Sequence, residues 1–270
     1  MPDVVERSGE VGGLRAHWRE APAGGAPVLY LHGVPSASWD WLPFLERTGG
    51  FAPDLPGFGS SDKPEGFDYS IEGFDRWIES FAIETGLDRF SLVVHDWGSV
   101  GLMFAKRVPE RIERLVIFNC VPFLPGYRWH WVARVWQTPV LGELFQATST
   151  KSAFRLLSRL SNAKPGPLPA DWIDRFWADY DRATRRAILK LYRASPADVL
   201  AAAGRGLESI RCPALILWAT RDPYLGAGLG RQYAEALGGE VELEMVENAG
   251  HWPWLDRPEL IERAARFLQG

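Results

Sequence analysis

A tight turn joins a short apolar run to a helix-like run in VVHDWGS, which spans Val93 to Ser99. Turns of this kind push one side chain out of the fold and aim the N–H groups of the following helix at it. The residue at the apex is Asp96. A carboxylate there can attack a tetrahedral carbon and form an ester that water then hydrolyses, whereas a serine would suit acyl transfer. The competing interpretation, in which Asp96 only caps the next helix, weakens as further chemical groups are found.

The motif LHGVP, Leu31 to Pro35, directly follows an apolar run that is typical of a buried strand. A glycine turn at this place lets a backbone N–H, that of Val34, face the pocket. Together with the N–H of Trp97 it would form an oxyanion hole. In an enzyme with a carboxylate nucleophile, such a hole stabilises the second step, when the ester is hydrolysed. We therefore expect Val34 and Trp97 to lie beside Asp96.

Two further motifs supply a base and a partner for it. NAGHWPWLDRPELI places His251 between a strand and the last helix, and WATRDP places Asp222 after a strand. His251 would activate water, because Asp96 is already ionised, and Asp222 would hold the tautomer of His251. Each also has an ordinary alternative, which is a surface-loop histidine or a turn aspartate ahead of Pro223. The order Asp96, Asp222, His251 is a known order of nucleophile, acid and histidine in hydrolases.

The elements around these residues alternate between strand and helix. Apolar runs predict strands at 26–32, 51–54, 91–95, 115–119, 214–220 and 241–246, and helical spacing predicts helices at 71–86, from Trp97 to the region of Pro109, at 228–237 and at 258–268. This alternation predicts an α/β fold with a mostly parallel central sheet flanked by helices. It also places Asp96, Asp222 and His251 on the same edge of the sheet.

Residues 122–207 interrupt this alternation with helical patterning, five tryptophans and no clear strand. We interpret them as a helical cap inserted into a core formed by residues 1–121 and 208–270. The cap carries 13 lysines and arginines against 6 acidic residues, and the core carries 17 against 28. Solvated helix faces would explain this difference, and so would a basic cap that docks on an acidic core and attracts weakly anionic substrates.

The composition of the 270-residue chain argues against several functional classes. A net charge of -4 gives no reason to expect nucleic acid as a partner, and no apolar run approaches the ~20 residues that span a bilayer. The start lacks the apolar core of a signal peptide, and we interpret Cys120 and Cys212 as buried free thiols, so a cytoplasmic location is expected. The five histidines show no ligand spacing, and no phosphate loop or dinucleotide fingerprint is present. Neither a metal nor a cofactor is therefore expected.

Together, LHGVP, DLPGFGSSDKP, VVHDWGS, WATRDP and AGHWPWLDRP resemble the motifs of the epoxide hydrolase and haloalkane dehalogenase branch of the α/β-hydrolase superfamily. The resemblance spans nearly the whole chain. It implies the α/β-hydrolase fold with an inserted cap, Asp96 as the nucleophile and a small apolar organic substrate. It does not determine whether the leaving group is a halide or the oxygen of an epoxide.

For a haloalkane, the resemblance implies N–H donors that hold the departing halide. The tryptophan that follows the nucleophile in the dehalogenases is matched by Trp97. Their second donor is an Asn or Glu of the HG-x-P loop, where this chain has Val34, or a tryptophan of the cap. Trp129, Trp131 and Trp136 are all candidates for that role.

For an epoxide, the resemblance implies a cap tyrosine as the acid that protonates the opening ring oxygen. KLYRASP, Lys190 to Pro196, matches the end-of-cap motif that carries it, which assigns this role to Tyr192. The tyrosine expected in the first cap helix is not obvious, and Tyr127 and His130 are both candidates for a second donor.

We place epoxide hydrolase first, haloalkane dehalogenase second, another hydrolase of this fold third, and a non-catalytic ligand-binding protein last. A pure binder has no need for Asp96, Asp222 and His251 together. The 13 tryptophans indicate either aromatic core packing or an aromatic-lined pocket for an apolar ligand. The side chains expected to line such a pocket are His32, Trp97, Tyr127, His130, Trp131 and Trp252.

Overall fold

The computed structural model describes residues 3–163, 166 and 168–270, and within them eight strands form one sheet. The strands are β1 (Val5–Val11), β2 (Leu14–Ala21), β3 (Val28–Leu31), β4 (Gly50–Pro53), β5 (Phe90–Asp96), β6 (Ile112–Cys120), β7 (Ala214–Ala219) and β8 (Val241–Val246). They lie in the order β1-β2-β4-β3-β5-β6-β7-β8, in which β2 is antiparallel to both of its neighbours and the other pairs are parallel. The predicted mostly parallel sheet is confirmed.

Helices connect and cover these strands. They are α1 (Leu42–Thr48), α2 (Ile71–Glu84), α3 (Gly101–Arg107), α4 (Trp131–Gln137), α5 (Leu141–Thr148), α6 (Lys151–Leu157), α7 (Ala170–Asp179), α8 (Arg182–Ala194), α9 (Ala197–Ala203), α10 (Gly228–Ala236), α11 (Pro253–Asp256) and α12 (Glu259–Gln269). α1 packs on α12, and α2 packs on α3. Every residue of β3, β5 and β7 is buried, so helices and loops cover both faces of the central strands.

The structure differs from the sequence predictions at several places. β1 and β2 form an antiparallel hairpin at the edge of the sheet, and β1 is mostly exposed, so its sequence VERSGEV lacks the apolar side that marks a strand. α1 has seven residues, too few for a clear helical period. The predicted helix after Trp97 is divided into a 3-10 turn, α3 and a second 3-10 turn that starts at Pro109. Cys120 is buried but Cys212 is only half-buried, and both are free thiols.

Residues 122–207, called the helical segment below, contain α4 to α9 and, in their described part, no strand. Ion pairs link the segment to the rest of the molecule in both polarities. Arg186 of the segment lies 3.0 Å from Glu65, whereas Lys63 lies 2.9 Å from Asp181 of the segment. The ion pairs between the two parts therefore do not all join a basic residue of the segment to an acidic residue of the rest of the molecule.

None of the helices in the described residues is both long enough and apolar enough to cross a membrane.

Candidate active site

Asp96 ends β5 in a left-handed backbone conformation (φ 49°, ψ -119°) that residues with a side chain rarely adopt. The turn depends on glycine at two close approaches. A Cβ atom on Gly98 would lie 2.1 Å from the Leu31 carbonyl oxygen, and one on Gly33 would lie 2.4 Å from the Cβ of Asp96. The strained turn thus lies where the parallel strands β3 and β5 end side by side, and it presents the Asp96 carboxyl group at the edge of the sheet.

Two backbone N–H groups stabilise this carboxyl group. The Val34 N–H donates to Asp96 Oδ1 at 2.7 Å, and the Trp97 N–H also favours the ionised form. Burial raises the pKa of Asp96 above its ordinary value, against the opposing influence of His251 and of these two N–H groups. The N–H groups of Val34 and Trp97, selected from the sequence as an oxyanion hole, therefore both lie at the Asp96 carboxyl group.

His251 lies between two carboxyl groups. Its Nδ1 is 2.8 Å from Asp222 Oδ2, and its Nε2 is 3.7 Å from Asp96 Oδ2. Because a carboxylate only accepts hydrogen bonds, Nδ1 carries the proton donated to Asp222, and Nε2 faces Asp96. Burial disfavours the charged imidazolium, but Asp222 and Asp96 outweigh this effect, so the pKa of His251 is raised above its ordinary value. The structure thus brings these three residues together.

Both oxygens of the Asp222 carboxylate are held by hydrogen bonds. Oδ1 accepts from the backbone N–H groups of Tyr224 at 2.8 Å and Leu225 at 3.0 Å. Oδ2 accepts from the Asn119 side-chain amide at 2.9 Å, in addition to His251. Sequence reasoning missed Asn119. The available signal was a polar residue near the end of the buried strand β6, which pairs with the strand that precedes Asp222.

The backbone of His251 is fixed from two sides. His95, which is buried in β5, donates from Nε2 to the His251 carbonyl oxygen at 2.8 Å. The His251 N–H donates to the carbonyl oxygen of Ser161 in the helical segment at 2.8 Å. Burial and the neighbouring His251 lower the pKa of His95 well below its ordinary value, so His95 is neutral and serves as a structural donor.

A cavity of about 270 Å³ opens beside Asp96 and His251. The helical segment supplies most of its wall, which is apolar and aromatic. Of the side chains expected to line it, His130, Trp131 and Trp252 do so. His32, Trp97 and Tyr127 are not part of the wall.

His32 was expected in the pocket, but both of its ring nitrogens bind backbone groups. Nδ1 donates to the Gly33 carbonyl oxygen at 2.7 Å, and Nε2 accepts from the Leu55 N–H at 2.9 Å. Burial lowers the pKa of His32, which keeps the ring neutral. The residue therefore ties the loop after β3 to the loop after β4 and presents no group to a ligand.

Trp97 and Tyr127 form a layer behind the cavity wall. Both rings pack on Trp129, with centroid distances of 5.6 Å for Trp97 and 5.2 Å for Tyr127. The Trp97 indole N–H and the Tyr127 hydroxyl are buried and have no hydrogen-bond partner in the described part of the chain. Sequence reasoning could not distinguish this layer from the wall, because the distinction depends on how the helices are oriented.

Tyr192 lines the cavity from α8 and is surrounded by indoles. Its ring lies 5.2 Å from that of Trp97, 5.0 Å from that of Trp129 and 4.8 Å from that of Trp136. Burial raises the pKa of its phenol well above the ordinary value, and the nearby Asp96 carboxylate adds to this rise. The neighbouring Trp97 indole partly opposes the rise. Tyr192 is therefore a neutral proton donor that faces the same cavity as Asp96.

Asp40 is a further buried carboxyl group near the site, in addition to Asp96 and Asp222, and sequence reasoning did not select it. Its oxygens accept hydrogen bonds from the indole N–H of Trp172 at 3.0 Å and from that of Trp252 at 3.3 Å. Burial, partly offset by these donors, raises the pKa of Asp40 to about 7. The carboxyl group thus joins α7 of the helical segment to the residue that follows His251.

The arrangement combines a carboxylate, a base held by a second carboxylate, and a phenol around an apolar cavity. Such a set can form and then hydrolyse a covalent ester. Within the described residues, no group of three or more His, Cys, Asp or Glu side chains is arranged to hold a metal ion.

The chain matches one protein family, and it is similar to two named proteins and to one solved structure. The family described as alpha/beta hydrolase fold matches residues 26–258. A protein of Mycolicibacterium paratuberculosis named haloalkane dehalogenase is 33% identical, over 95% of this chain and 88% of its own length. A protein of Mycobacterium tuberculosis named epoxide hydrolase A is 26% identical, over 100% of this chain and 99% of its own length. The crystal structure of haloalkane dehalogenase DbeA from Bradyrhizobium elkani matches with a TM-score of 0.84 and 24% identity, over 99% of this chain and 98% of that one, which shows a shared fold.

Proposed function

Because the chain belongs to the α/β-hydrolase fold family, we propose that it is a hydrolase that opens epoxides through an ester on Asp96 and releases vicinal diols. The observation that carries this proposal is the Tyr192 phenol, which faces the same cavity as Asp96 and is kept protonated by burial and by the Asp96 charge. A carboxylate opposite a neutral phenol is the pair of groups that epoxide opening requires, a nucleophile for carbon and an acid for oxygen.

In the first step, Asp96 Oδ2 attacks a ring carbon of the epoxide. The carbon–oxygen bond of the ring breaks, and its electron pair goes to the ring oxygen, which takes the proton of Tyr192. The Val34 N–H stays on Asp96 Oδ1, so the attacking carboxylate keeps its orientation while Oδ2 forms the new bond. The product of this step is a hydroxyalkyl ester and a Tyr192 phenolate.

In the second step, His251 takes a proton from water, and the hydroxide attacks the ester carbonyl carbon of Asp96. Negative charge develops on Oδ1, where the N–H groups of Val34 and Trp97 lie. When this intermediate collapses, the bond between the carbonyl carbon and Oδ2 breaks, and the leaving alkoxide takes the proton from the His251 imidazolium to become the diol. The proton left on the new carboxyl group of Asp96 passes to the Tyr192 phenolate, which restores both groups.

Ester formation also prepares His251 for its role as a base. In the free protein, the charges of Asp222 and Asp96 both raise the pKa of His251. The ester has no charge on Asp96, so one of these two influences disappears. The pKa of His251 then falls, and the neutral imidazole becomes more populated at the step that needs it.

We also propose that the helical segment, residues 122–207, acts as a cap on a core formed by residues 1–121 and 208–270. The support for this role is the cavity wall, which combines residues of the segment with the loops after β3, β5, β7 and β8. The wall is mostly apolar, which suits a small apolar organic substrate and excludes water from the first step.

Haloalkane dehalogenation is the second candidate function. The relative from Mycolicibacterium paratuberculosis supports it, as do the unpartnered, buried indole N–H groups of Trp97 and Trp136, which both contact Tyr192. Two observations favour the epoxide. Val34 brings no side-chain donor to its loop, and the indole N–H of Trp129 is already bound to the Ser195 carbonyl oxygen at 2.9 Å.

Replacing Tyr192 distinguishes the two reactions. With purified protein and a panel of styrene-type epoxides and bromoalkanes, diol formation and halide release are followed in parallel. For an epoxide hydrolase, Tyr192→Phe should slow ester formation by roughly 10- to 1000-fold, the range for loss of one positioned donor, with little change in substrate binding. Tyr180→Phe is the matched control, because Tyr180 lines the same cavity while its hydroxyl binds Gln146.

Full epoxide turnover by Tyr192→Phe would remove Tyr192 as the acid. Halide release that survives Tyr192→Phe but is lost in Trp97→Phe or Trp136→Phe would establish the second candidate function in place of the first.

A further inference from the structure

Exposed apolar side chains are concentrated in one part of the helical segment. Most of the large apolar side chains with high exposure in the described residues lie between positions 131 and 160. We call this surface the apolar rim and define it by Trp131, Leu141, Leu144, Leu156, Leu157 and Leu160. Proteins that act alone in water rarely expose large contiguous apolar surfaces, and such large surfaces often mark an interaction site.

Half of the residues of the apolar rim lie at the cavity. Trp131, Leu157 and Leu160 belong to the rim and also line the cavity that reaches Asp96. The rings of Trp131 and Phe145, 6.4 Å apart, join the α4 and α5 parts of this surface. Whatever covers the rim therefore also faces the entrance to the site.

Basic side chains accompany the rim. Arg128, Arg134, Arg155 and Arg159 are exposed, and none of the four forms an ion pair with any described residue. Between positions 122 and 160 the only acidic residue of the sequence is Glu143, which is bound to Arg193 at 2.7 Å. This stretch of chain thus combines exposed apolar side chains with four arginines that have no ion-pair partner among the described residues, although Lys151 pairs with Asp174 of α7 at 2.8 Å. Residues 1–121 and 208–270, by contrast, carry 28 acidic against 17 basic residues.

We propose that the apolar rim docks on the surface of a bilayer that contains anionic lipids. Leucine and tryptophan side chains insert at the boundary between headgroups and acyl chains, and arginines bind the lipid phosphates. A second copy of this chain fits the rim less well, because a symmetric contact would place the same arginines against each other. In the docked position the cavity opens toward the acyl chains, so an apolar compound dissolved in the bilayer enters the cavity without crossing water.

Co-sedimentation with lipid vesicles tests this proposal on the full chain. The probes are phosphatidylcholine vesicles and vesicles in which one third of the lipid is phosphatidylglycerol, at about 0.05 M and about 0.5 M salt. Binding should be at least tenfold stronger to the anionic vesicles and should weaken at high salt. Arg155→Gln and Arg159→Gln should each reduce binding roughly fivefold at low salt, and Leu144→Gln and Leu156→Gln should each reduce it on the order of tenfold.

Matched controls lie outside the rim. Ile83→Gln changes an equally exposed apolar residue on α2, and Arg266→Gln changes an exposed arginine on α12, so both should bind vesicles as the unchanged protein does. Absence of binding to anionic vesicles would overturn the proposal, and so would equal losses in the rim variants and the controls. Sedimentation-velocity measurements without lipid detect the other occupant. If the protein does not bind vesicles but forms a dimer, and if Leu144→Gln and Leu156→Gln dissociate this dimer, the rim would be assigned to contact with a second copy.

Discussion

The charge on His251 determines the pH range in which this residue could take the proposed role of base. Asp222 and Asp96 raise its pKa against the effect of burial, so in the free protein the imidazole stays protonated to a higher pH than an ordinary histidine. Water activation needs the neutral form. Hydrolysis of the ester should therefore be slow at acid pH and rise as the pH passes the pKa that His251 has in the ester, which Asp222 still raises.

Asp222→Asn tests this dependence. Both oxygens of Asp222 accept hydrogen bonds, whereas the amide has one acceptor oxygen and no charge, so it holds the tautomer of His251 less well and ester hydrolysis should slow by roughly 10²- to 10⁴-fold. The acid limb of the rate should also move to lower pH, since the charge of Asp222 contributes to the raised pKa. Single-turnover kinetics across a pH series measure both effects.

The control for this measurement is Glu247→Gln, which removes an exposed charge from the loop that carries His251 and should leave the acid limb in place. An acid limb that does not move in Asp222→Asn would show that Asp222 does not set the pKa of His251.

The sequence indicated some residues of the site and not others for a physical reason. Asp96, His251 and Asp222, the proposed nucleophile, base and partner of the base, lie in motifs whose glycines and prolines imply the local conformation of the chain. Asn119 and Asp40 have no such motif, and their roles depend on distant partners. Asp40 meets Trp172 and Trp252, which are 132 and 212 positions away in the chain. Contacts of this range arise only from the tertiary fold.

At the scale of elements, the ends of strands carry the site. β3, β5, β6 and β7 each contain a short buried run of apolar residues, and this made each of them predictable. The hairpin of β1 and β2 was not predictable, because most of β1 faces solvent and its stability comes from pairing. The wall of the cavity was predicted in part, because a helical period identifies a buried face without showing what that face contacts.

Asp40 accepts hydrogen bonds from Trp172 of α7 and from Trp252, which precedes α11, and its ionisation makes the stability of the fold depend on pH. An aspartate in an unfolded chain ionises near about pH 4, whereas Asp40 in the folded protein keeps its proton up to about pH 7. As the pH rises from about 4 to about 7, the unfolded chain therefore gains stability relative to the folded one through this group.

Asp40→Asn removes that contribution because an amide does not ionise. Between about pH 5 and about pH 8, the unchanged protein should lose on the order of 2 kcal/mol of unfolding free energy relative to Asp40→Asn. Urea unfolding at each pH measures this difference. A constant difference between the two proteins across this range would contradict the assignment of a raised pKa to Asp40.

At the scale of the whole molecule, the sheet and the helical segment have separate tasks. The sheet holds Asp96, Asp222 and His251 at one edge. The Val34 N–H binds Asp96 at 2.7 Å, and His251 Nδ1 binds Asp222 at 2.8 Å. The segment supplies Tyr192 and most of the apolar wall, and it is linked to the rest of the chain through Asp40 and through ion pairs. In the proposed reaction, the Asp96 carboxylate therefore acts in a mostly apolar cavity, in which a charge that develops during the reaction meets fixed donors.

The most direct test of the proposed chemistry follows an oxygen atom. The protein, in excess over a substrate that it turns over, completes a single turnover in heavy-oxygen water, and peptide mass spectrometry then locates the label. Because water attacks the carbonyl carbon of the ester, one heavy oxygen should appear in the carboxylate of Asp96, and the product of this first turnover should contain none. Heavy oxygen in the product together with an unlabelled Asp96 would show that water attacks the substrate directly and that Asp96 is not the nucleophile.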